Sequence, residues 1–179
     1  MRFLPCKKKS RAVKHVNKSE ILPPNFHEQM TKEEMTSWIL GIEPAATTDD
    51  TGEWLVVQVP VAQWKNLATQ LRKGPPALDF LYCITAVDWK THLSMVYHLR
   101  SSRTDETLVV KVQLDREKPQ IETVCDIWRT AEFHEREAFE MFGIIFLNHP
   151  DLRKLILPDD FNGYPMRKDF EDPVNMIKL

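Results

Sequence analysis

Cysteine is scarce in this chain of 179 residues, and its spacing excludes the centres that cysteine pairs commonly hold. Cys6, Cys83 and Cys125 lie far apart and form no CxxC pair, so neither a structural zinc site nor an iron–sulfur cluster can be assigned from spacing. The odd number favours reduced, mostly buried thiols in a compartment like the cytosol over a disulfide framework.

Glycine and long apolar runs are also sparse, and their scarcity excludes further classes of function. Gly143 and Gly163 form no phosphate-cradling loop, no Ser or Cys lies in a nucleophile elbow, and the HExxH pattern is absent. No apolar stretch approaches the roughly 20 residues that span a bilayer, and lysines follow Met1–Pro5 where a signal peptide would be apolar. We therefore expect a soluble or peripheral protein with no transmembrane segment.

Basic residues are concentrated at the amino terminus. Residues 1–18 contain seven basic residues and no acidic one, although the formal net charge of the chain is −2. Such a block predicts a flexible tail over residues 1–29, and docking onto an acidic partner or anionic lipid is the alternative. Charge alone gives only non-specific affinity for nucleic acid, and the five Trp lie at core-like positions, so no nucleic-acid partner is expected.

The middle of the chain alternates helical and strand patterns. Thr31 resembles an N-cap, and Gly41 is expected to end the helix that follows. The remaining predicted elements are a strand over 53–60, a helix over 61–73, three strands over 78–88, 92–100 and 107–114, and a helix over 130–142. Short links between the three strands predict an antiparallel meander. The order predicts an α+β domain over residues 30–147, with a two-layer mixed sheet covered by helices on one side.

The head of the last predicted helix carries the triplet Glu135-Arg136-Glu137, which an apolar, strand-like run follows after Gly143. Helical positions two apart differ by about 200°, so Glu135 and Glu137 cannot form an acid/base pair. Arg136 has Glu132 and Glu140 one turn away on either side, and intrahelical ion pairing is one interpretation. We favour the other, in which Arg136 or Glu137 meets buried partner groups, because apolar residues surround them.

A metal-binding alternative rests on three residues. His134 and Glu137 lie three positions apart on the predicted helix, and His149, with Asp151 two residues later, could complete a site. Such a site would make the chain a free-standing metalloenzyme. The pattern is weak because HExxH is absent.

Residues 148–179 predict an extended arm, because prolines interrupt it and apolar side chains alternate with basic pairs. A free segment with this much apolar surface would be prone to aggregation. The arm therefore either folds back over its own sheet or lies along a partner. Arg153 and Arg167 suit bidentate contacts with partner carboxylates.

These motifs together resemble the 30 kDa subunit of respiratory complex I, which is the C subunit of bacterial NADH:quinone oxidoreductase. The resemblance rests on Glu135-Arg136-Glu137-x2-Glu140-Met141-Phe142, on His149-x3-Arg153 and on Gly163-Tyr164-Pro165-Met166-Arg167-Lys168-Asp169-Phe170, and it covers roughly residues 30–170. The signature residues expected at a subunit interface are Glu135, Arg136, Glu137, Glu140, Phe142, Gly143, His149, Pro150, Asp151, Arg153, Gly163, Pro165, Arg167, Lys168 and Asp169.

The resemblance implies a non-catalytic component of the peripheral arm that packs against the 49 kDa-type D subunit and braces the quinone-reducing module. FMN, iron–sulfur clusters and quinone are then expected in partner subunits and none in this chain. The complex would lie on the cytoplasmic face of the bacterial inner membrane or the equivalent organelle face. Related assemblies that use a similar subunit, namely ferredoxin- or F420H2-dependent dehydrogenases and membrane-bound hydrogenases, remain alternatives.

Overall fold

The computed structural model describes residues 30–172, which form three helices and seven strands. The predicted basic tail thus lies outside the described residues. In chain order the elements are α1 (Lys32–Ile42), β1 (Thr47–Asp49), β2 (Leu55–Val59), α2 (Val61–Lys73), β3 (Phe80–Asp88), β4 (His92–Arg100), β5 (Thr107–Asp115), β6 (Gln120–Glu122), α3 (Ala131–Phe142) and β7 (Ile145–Leu147).

Five strands form the main sheet in the order β1-β2-β5-β4-β3. The meander of β3, β4 and β5 is antiparallel throughout, with Ala86 opposite Met95 and Met95 opposite Val112. Strand β2 runs parallel to β5, and α2, β3 and β4 make the crossover between them. The predicted α+β class, mixed sheet and antiparallel meander are confirmed.

One face of the sheet carries the core. Strand β5 alternates in the way its sequence predicts, with Val110 and Val112 buried and Lys111 and Gln113 exposed. Helix α2 packs on the buried face, where the Trp64 ring lies 4.3 Å from the Tyr97 ring. Helix α3 packs along β3 at the edge of the sheet.

The first helix confirms its predicted start but not its predicted end. Thr31 and Glu34 form a capping box, in which the Glu34 amide donates to the Thr31 hydroxyl at 3.2 Å and the Thr31 amide donates to the Glu34 carboxylate at 2.8 Å. Gly41 does not stop the helix, which continues to Ile42. A helical glycine costs only about 1 kcal/mol, and burial of Met35 and Ile39 offsets that cost.

Two short elements were not predicted. Strands β1 and β6 have three residues each, which is too short for a period of two to be recognised. Strand β6 pairs in parallel with β7, which lies in the apolar run after Gly143, and the two form a separate small sheet. This small sheet places the segment before α3 beside the segment after it.

The prediction that tryptophans lie at core-like positions is wrong for two of them. Trp64 and Trp128 are buried, and the Trp128 indole donates to the Leu78 carbonyl at 2.9 Å. Trp54, just before β2, and Trp89, in the turn between β3 and β4, are exposed. Sequence position alone could not distinguish the two groups.

Candidate subunit-docking surface

Helix α3 ends where the sequence predicts, and the turn that follows depends on glycine. Gly143 has φ +74°, a left-handed conformation that glycine adopts without strain. A Cβ atom at this position would lie 2.5 Å from the Tyr164 ring, so the arm packs directly on the glycine. Gly143 therefore both ends the helix and allows the arm to approach it closely.

Glu135 faces inward and organises the segment before the helix. Its side chain is fully buried, and it accepts hydrogen bonds from the Thr123 hydroxyl at 2.5 Å and from the Val124 amide at 2.8 Å. The Cys125 thiol donates to the same carboxylate at 3.3 Å. Burial raises the pKa of Glu135, although these hydrogen bonds oppose the shift.

Arg136 and Glu140 lie one turn apart and together hold the first part of the arm. The Arg136 guanidinium donates to the Arg153 carbonyl at 3.1 Å and to the Lys154 carbonyl at 3.0 Å. The Glu140 carboxylate accepts hydrogen bonds from the backbone amides of the three residues that follow Lys154, which are Leu155 at 2.9 Å and Ile156 and Leu157 at 3.0 Å. We call this arrangement the arm clamp.

The arm clamp also sets the charge state of Glu140. Burial alone would raise the pKa of this carboxyl, but the three backbone amides and the nearby Arg136 charge outweigh it and lower the pKa of Glu140 below its ordinary value of 4.5. Arg136 thus meets half-buried carbonyl groups of its own chain. Simple intrahelical pairing does not account for its hydrogen bonds.

A second set of contacts holds the arm at residues 164–167. The Met166 amide donates to the Met141 carbonyl at 3.1 Å, and the Arg167 side chain donates to the Phe142 carbonyl at 2.7 Å. Arg167 also lies over the Tyr164 ring, 4.8 Å from its centre. Arg167 therefore binds the end of its own helix, and its predicted contact with a partner carboxylate stays a prediction.

Asp88, at the end of β3, ties the last described part of the arm to the sheet. The buried Asp88 carboxylate accepts two hydrogen bonds from Arg116 and one from the Lys168 amide, each at 3.0 Å. Arg116 also pairs with Asp169 at 2.7 Å. The Arg116 hydrogen bonds outweigh burial and lower the pKa of Asp88 strongly. Residues 148–172 contain no helix or strand, as predicted, and they fold back on their own domain.

The proposed metal trio of His134, Glu137 and His149 is wrong. His134 and Glu137 line a groove between β3 and α3, whereas the His149 side chain is buried 3.9 Å from Glu135. Within residues 30–172, the one group of three or more His, Cys, Asp or Glu side chains with ligand atoms within 4.8 Å of one another is Cys125, Glu135 and His149. Nothing in the sequence indicated that Cys125 would join Glu135 and His149.

After these internal contacts, α3 and the arm still expose apolar side chains. Ile156 is 66% exposed, Met166 58% and Phe133 56%. Glu137 is exposed on the same helix and lines the groove with Met166. We call Phe133, Glu137, Ile156, Tyr164 and Met166 the α3–arm surface. Other signature residues, among them Pro150, Asp151 and Arg153, are exposed on the turn before the clamp, where Arg153 pairs with Asp151 at 2.9 Å.

Exposed aromatic and methionine side chains of this kind point to an interface, since such residues are enriched where proteins bind one another. No helix among the described residues is long and apolar enough to cross a membrane.

Comparisons with known proteins place these features in a family. The model of a family described as the 30 kDa subunit of respiratory-chain NADH dehydrogenase matches residues 57–174. A curated relative in Phocaeicola vulgatus, named as the C/D subunit of NADH-quinone oxidoreductase, is 41% identical over 125 residues, which are 69% of this chain and 24% of the relative.

Two further comparisons extend the range of relatives. The C subunit of the F420H2 dehydrogenase of Methanosarcina mazei is 41% identical over 102 residues, 55% of this chain and 65% of the relative. A chain in the structure of an archaeal membrane-bound sulfane sulfur reductase is 30% identical, with a TM-score of 0.68, and the match covers 78% of this chain and 85% of that one. The chain thus spans less than two thirds of the length of both curated relatives.

Proposed function

The chain belongs to the family of the 30 kDa subunit of respiratory-chain NADH dehydrogenase, and from this we propose that it is a non-catalytic subunit of a proton-translocating NADH:quinone oxidoreductase. In this proposal it braces the quinone-reducing module of the peripheral arm. The subunit lies on the cytoplasmic face of the bacterial inner membrane or the equivalent organelle face. Electrons pass from NADH to quinone through FMN and iron–sulfur clusters that other subunits hold.

The observation that carries the proposal is the α3–arm surface. Arg136 and Glu140, two of the charged signature residues, make hydrogen bonds to the arm of their own chain, so their main role is to hold the arm in one conformation. The arm then presents Ile156 and Met166 outward on a supported backbone. Rigid display of apolar anchors favours binding, because less conformational entropy is lost on association.

The partner we propose is the 49 kDa-type D subunit. The name of the Phocaeicola vulgatus relative joins C and D, so a single polypeptide there carries both subunits. Such a fusion supports a C-type chain that lies beside a D-type chain. Because the interface would be largely apolar at its centre, we expect single charged substitutions there to be costly.

The test is the recovery of the assembled complex from cells that express tagged variants. Ile156→Asp and Met166→Asp are expected to weaken association at least about tenfold, because each places a charge within an apolar contact. The matched control is Leu40→Asp, at an exposed apolar position of α1. Recovery of the D-type partner at the wild-type level with both surface variants would refute the docking surface.

A variant of Glu137 separates docking from folding. Glu137 is exposed, so Glu137→Ala should leave the unfolding of the purified chain unchanged while lowering the assembled complex. Arg136→Ala should lower both, because it releases the arm clamp. Normal assembly with abolished quinone reduction in these two variants would instead indicate a catalytic role.

The alternative is the equivalent subunit of a related complex with another electron donor. The Methanosarcina mazei relative, named for F420H2 dehydrogenase, and the chain in the sulfane sulfur reductase structure support it. Ferredoxin-dependent dehydrogenases and membrane-bound hydrogenases belong to the same alternative. Mass spectrometry of the co-purified proteins distinguishes these complexes, because the protein that receives electrons from the donor differs among them.

A further inference from the structure

Three potential metal ligands of different chemistry converge below a cleft at the start of α3. The Cys125 sulfur lies 3.3 Å from Oε2 of Glu135, and Nε2 of His149 lies 3.9 Å from the same oxygen. The three ligand atoms all lie within 4.8 Å of one another. The side chains of Glu135 and His149 are fully buried.

These distances are close to those of a coordinated ion. A point equidistant from the three atoms would lie about 2.4 Å or less from each, whereas zinc lies about 2.3 Å from sulfur and about 2.0–2.2 Å from nitrogen and oxygen ligands. Small side-chain rotations are therefore enough to reach coordination distances. Thiolate, imidazole and carboxylate together also suit zinc better than magnesium or calcium, which prefer oxygen.

The surroundings supply orientation and access. The Thr123 hydroxyl and the Val124 amide already hold the Glu135 carboxylate, as outer hydrogen bonds do for ligands in metal sites. Cys125 and Thr123 line an open cleft of about 730 Å³, so the sulfur ligand borders a space that is open to solvent.

We propose that Cys125, Glu135 and His149 form a binding site for a zinc-like divalent cation. The site shares no residue with the α3–arm surface. Binding releases one proton to solvent, because the Cys125 thiol must become a thiolate.

The position of His149 couples this site to the arm. In the structure, Nδ1 of His149 accepts a hydrogen bond from the Asp151 amide at 3.0 Å. Nε2 lies 3.2 Å from the Glu132 carbonyl, which can only accept a hydrogen bond, so the imidazole proton is on Nε2. Ligation through Nε2 moves that proton to Nδ1 and breaks the bond to the Asp151 amide. Asp151 is exposed in a turn just before the arm clamp, so this turn can rearrange. Ion binding is thus expected to change the start of the arm.

The test uses Cd2+ as a spectroscopic probe of the purified full-length chain with Cys6→Ser, which removes the cysteine outside the described residues. Sulfur-to-cadmium charge transfer reports a thiolate ligand directly. One equivalent of Cd2+ should produce this band, and Zn2+ should displace it. Cys125→Ser should abolish the band, and His149→Gln should weaken binding at least about a hundredfold, since changes outside the ligand shell alone cost about 10–100-fold.

The matched control is Cys83→Ser, because Cys83 is also a half-buried free thiol but lies outside the cluster. Retention of the band in Cys83→Ser and its loss in Cys125→Ser would support the site. The opposite pattern, or no band with wild-type Cys125, would overturn it. X-ray absorption of the unsubstituted Cd2+ complex needs no variant at the site: one sulfur among nitrogen and oxygen ligands supports the proposal, and a shell without sulfur refutes it.

Discussion

Replacement of Glu140 by Gln is expected to destabilise the fold by about 2–4 kcal/mol at neutral pH. The Glu140 side chain is buried, and its carboxylate accepts amides from Leu155, Ile156 and Leu157. A hydrogen bond to a charged group contributes about 1.5–3 kcal/mol and a neutral one about 0.5–1.5 kcal/mol, so loss of the charge costs about 1 kcal/mol at each amide. The NH2 group of the Gln side chain would also face backbone N–H groups, so that hydrogen-bond donors would meet donors.

The pH dependence of this loss has a definite sign. The pKa of Glu140 is lowered in the folded state from its ordinary value of 4.5. Its ionised form therefore stabilises the fold fully above pH 4.5, and this contribution is lost as the pH falls through the folded pKa. The difference between wild type and Glu140→Gln should be greatest near neutral pH and should shrink below pH 4.5. Other carboxyls titrate in both proteins and cancel in the difference.

Urea unfolding of both proteins from pH 7 downward measures this difference. Glu137→Gln is the matched control, since Glu137 lies on the same helix but is exposed, and its effect should stay within about 0.5 kcal/mol. A second measure is trypsin cleavage after Arg153 and Lys154, which should be faster in Glu140→Gln because the clamp holds that segment. An effect of Glu140→Gln no larger than the control, or one independent of pH, would refute the assignment of the arm clamp.

Two further substitutions test the contacts that hold residues 164–169 of the arm. Asp88→Asn should cost about 2–3 kcal/mol, because Arg116 and the Lys168 amide lose a buried charged acceptor, and trypsin cleavage after Lys168 should accelerate; unchanged cleavage would argue against this anchor. Gly143→Ala should cost about 1–3 kcal/mol in urea unfolding, since φ is +74° and the new methyl group would meet the Tyr164 ring. Tyr164→Ala should relieve part of the Gly143→Ala loss in the double variant, and strict additivity would contradict the proposed contact.

The sequence predicts those parts of the fold in which a period repeats often enough to be recognised. Residues Val61–Lys73 form the predicted helix with the same bounds, and β4 also has its predicted bounds. Strands of three residues, such as β1 and β6, carry no detectable period. Helix α1 ends at Ile42, one residue beyond Gly41, so a glycine in the sequence marks the end of a helix only approximately.

The candidate site could be predicted only in part, for a specific physical reason. Helical geometry alone separates Glu135 from Glu137, and the structure agrees: one is buried and the other exposed. The partners of Arg136 and Glu140 are backbone groups of an irregular segment, and backbone groups have no sequence signature. Cys125 likewise joins Glu135 through a turn between β6 and α3, which no periodic pattern describes.

Arg136 and Glu140 bind backbone groups of the arm, and this has a consequence for function. An ion pair between α3 and the arm would fix two side chains, whereas Arg136 and Glu140 fix consecutive peptide groups from Arg153 to Leu157. A segment without helix or strand thereby obtains hydrogen bonds for its main chain that regular structure would otherwise supply. The side chains of that segment need not turn inward to hold it, and Ile156 is left exposed. Burial of Arg136 and Glu140 and exposure of Ile156 are thus two results of one arrangement, in which charged side chains hold an apolar docking surface in place.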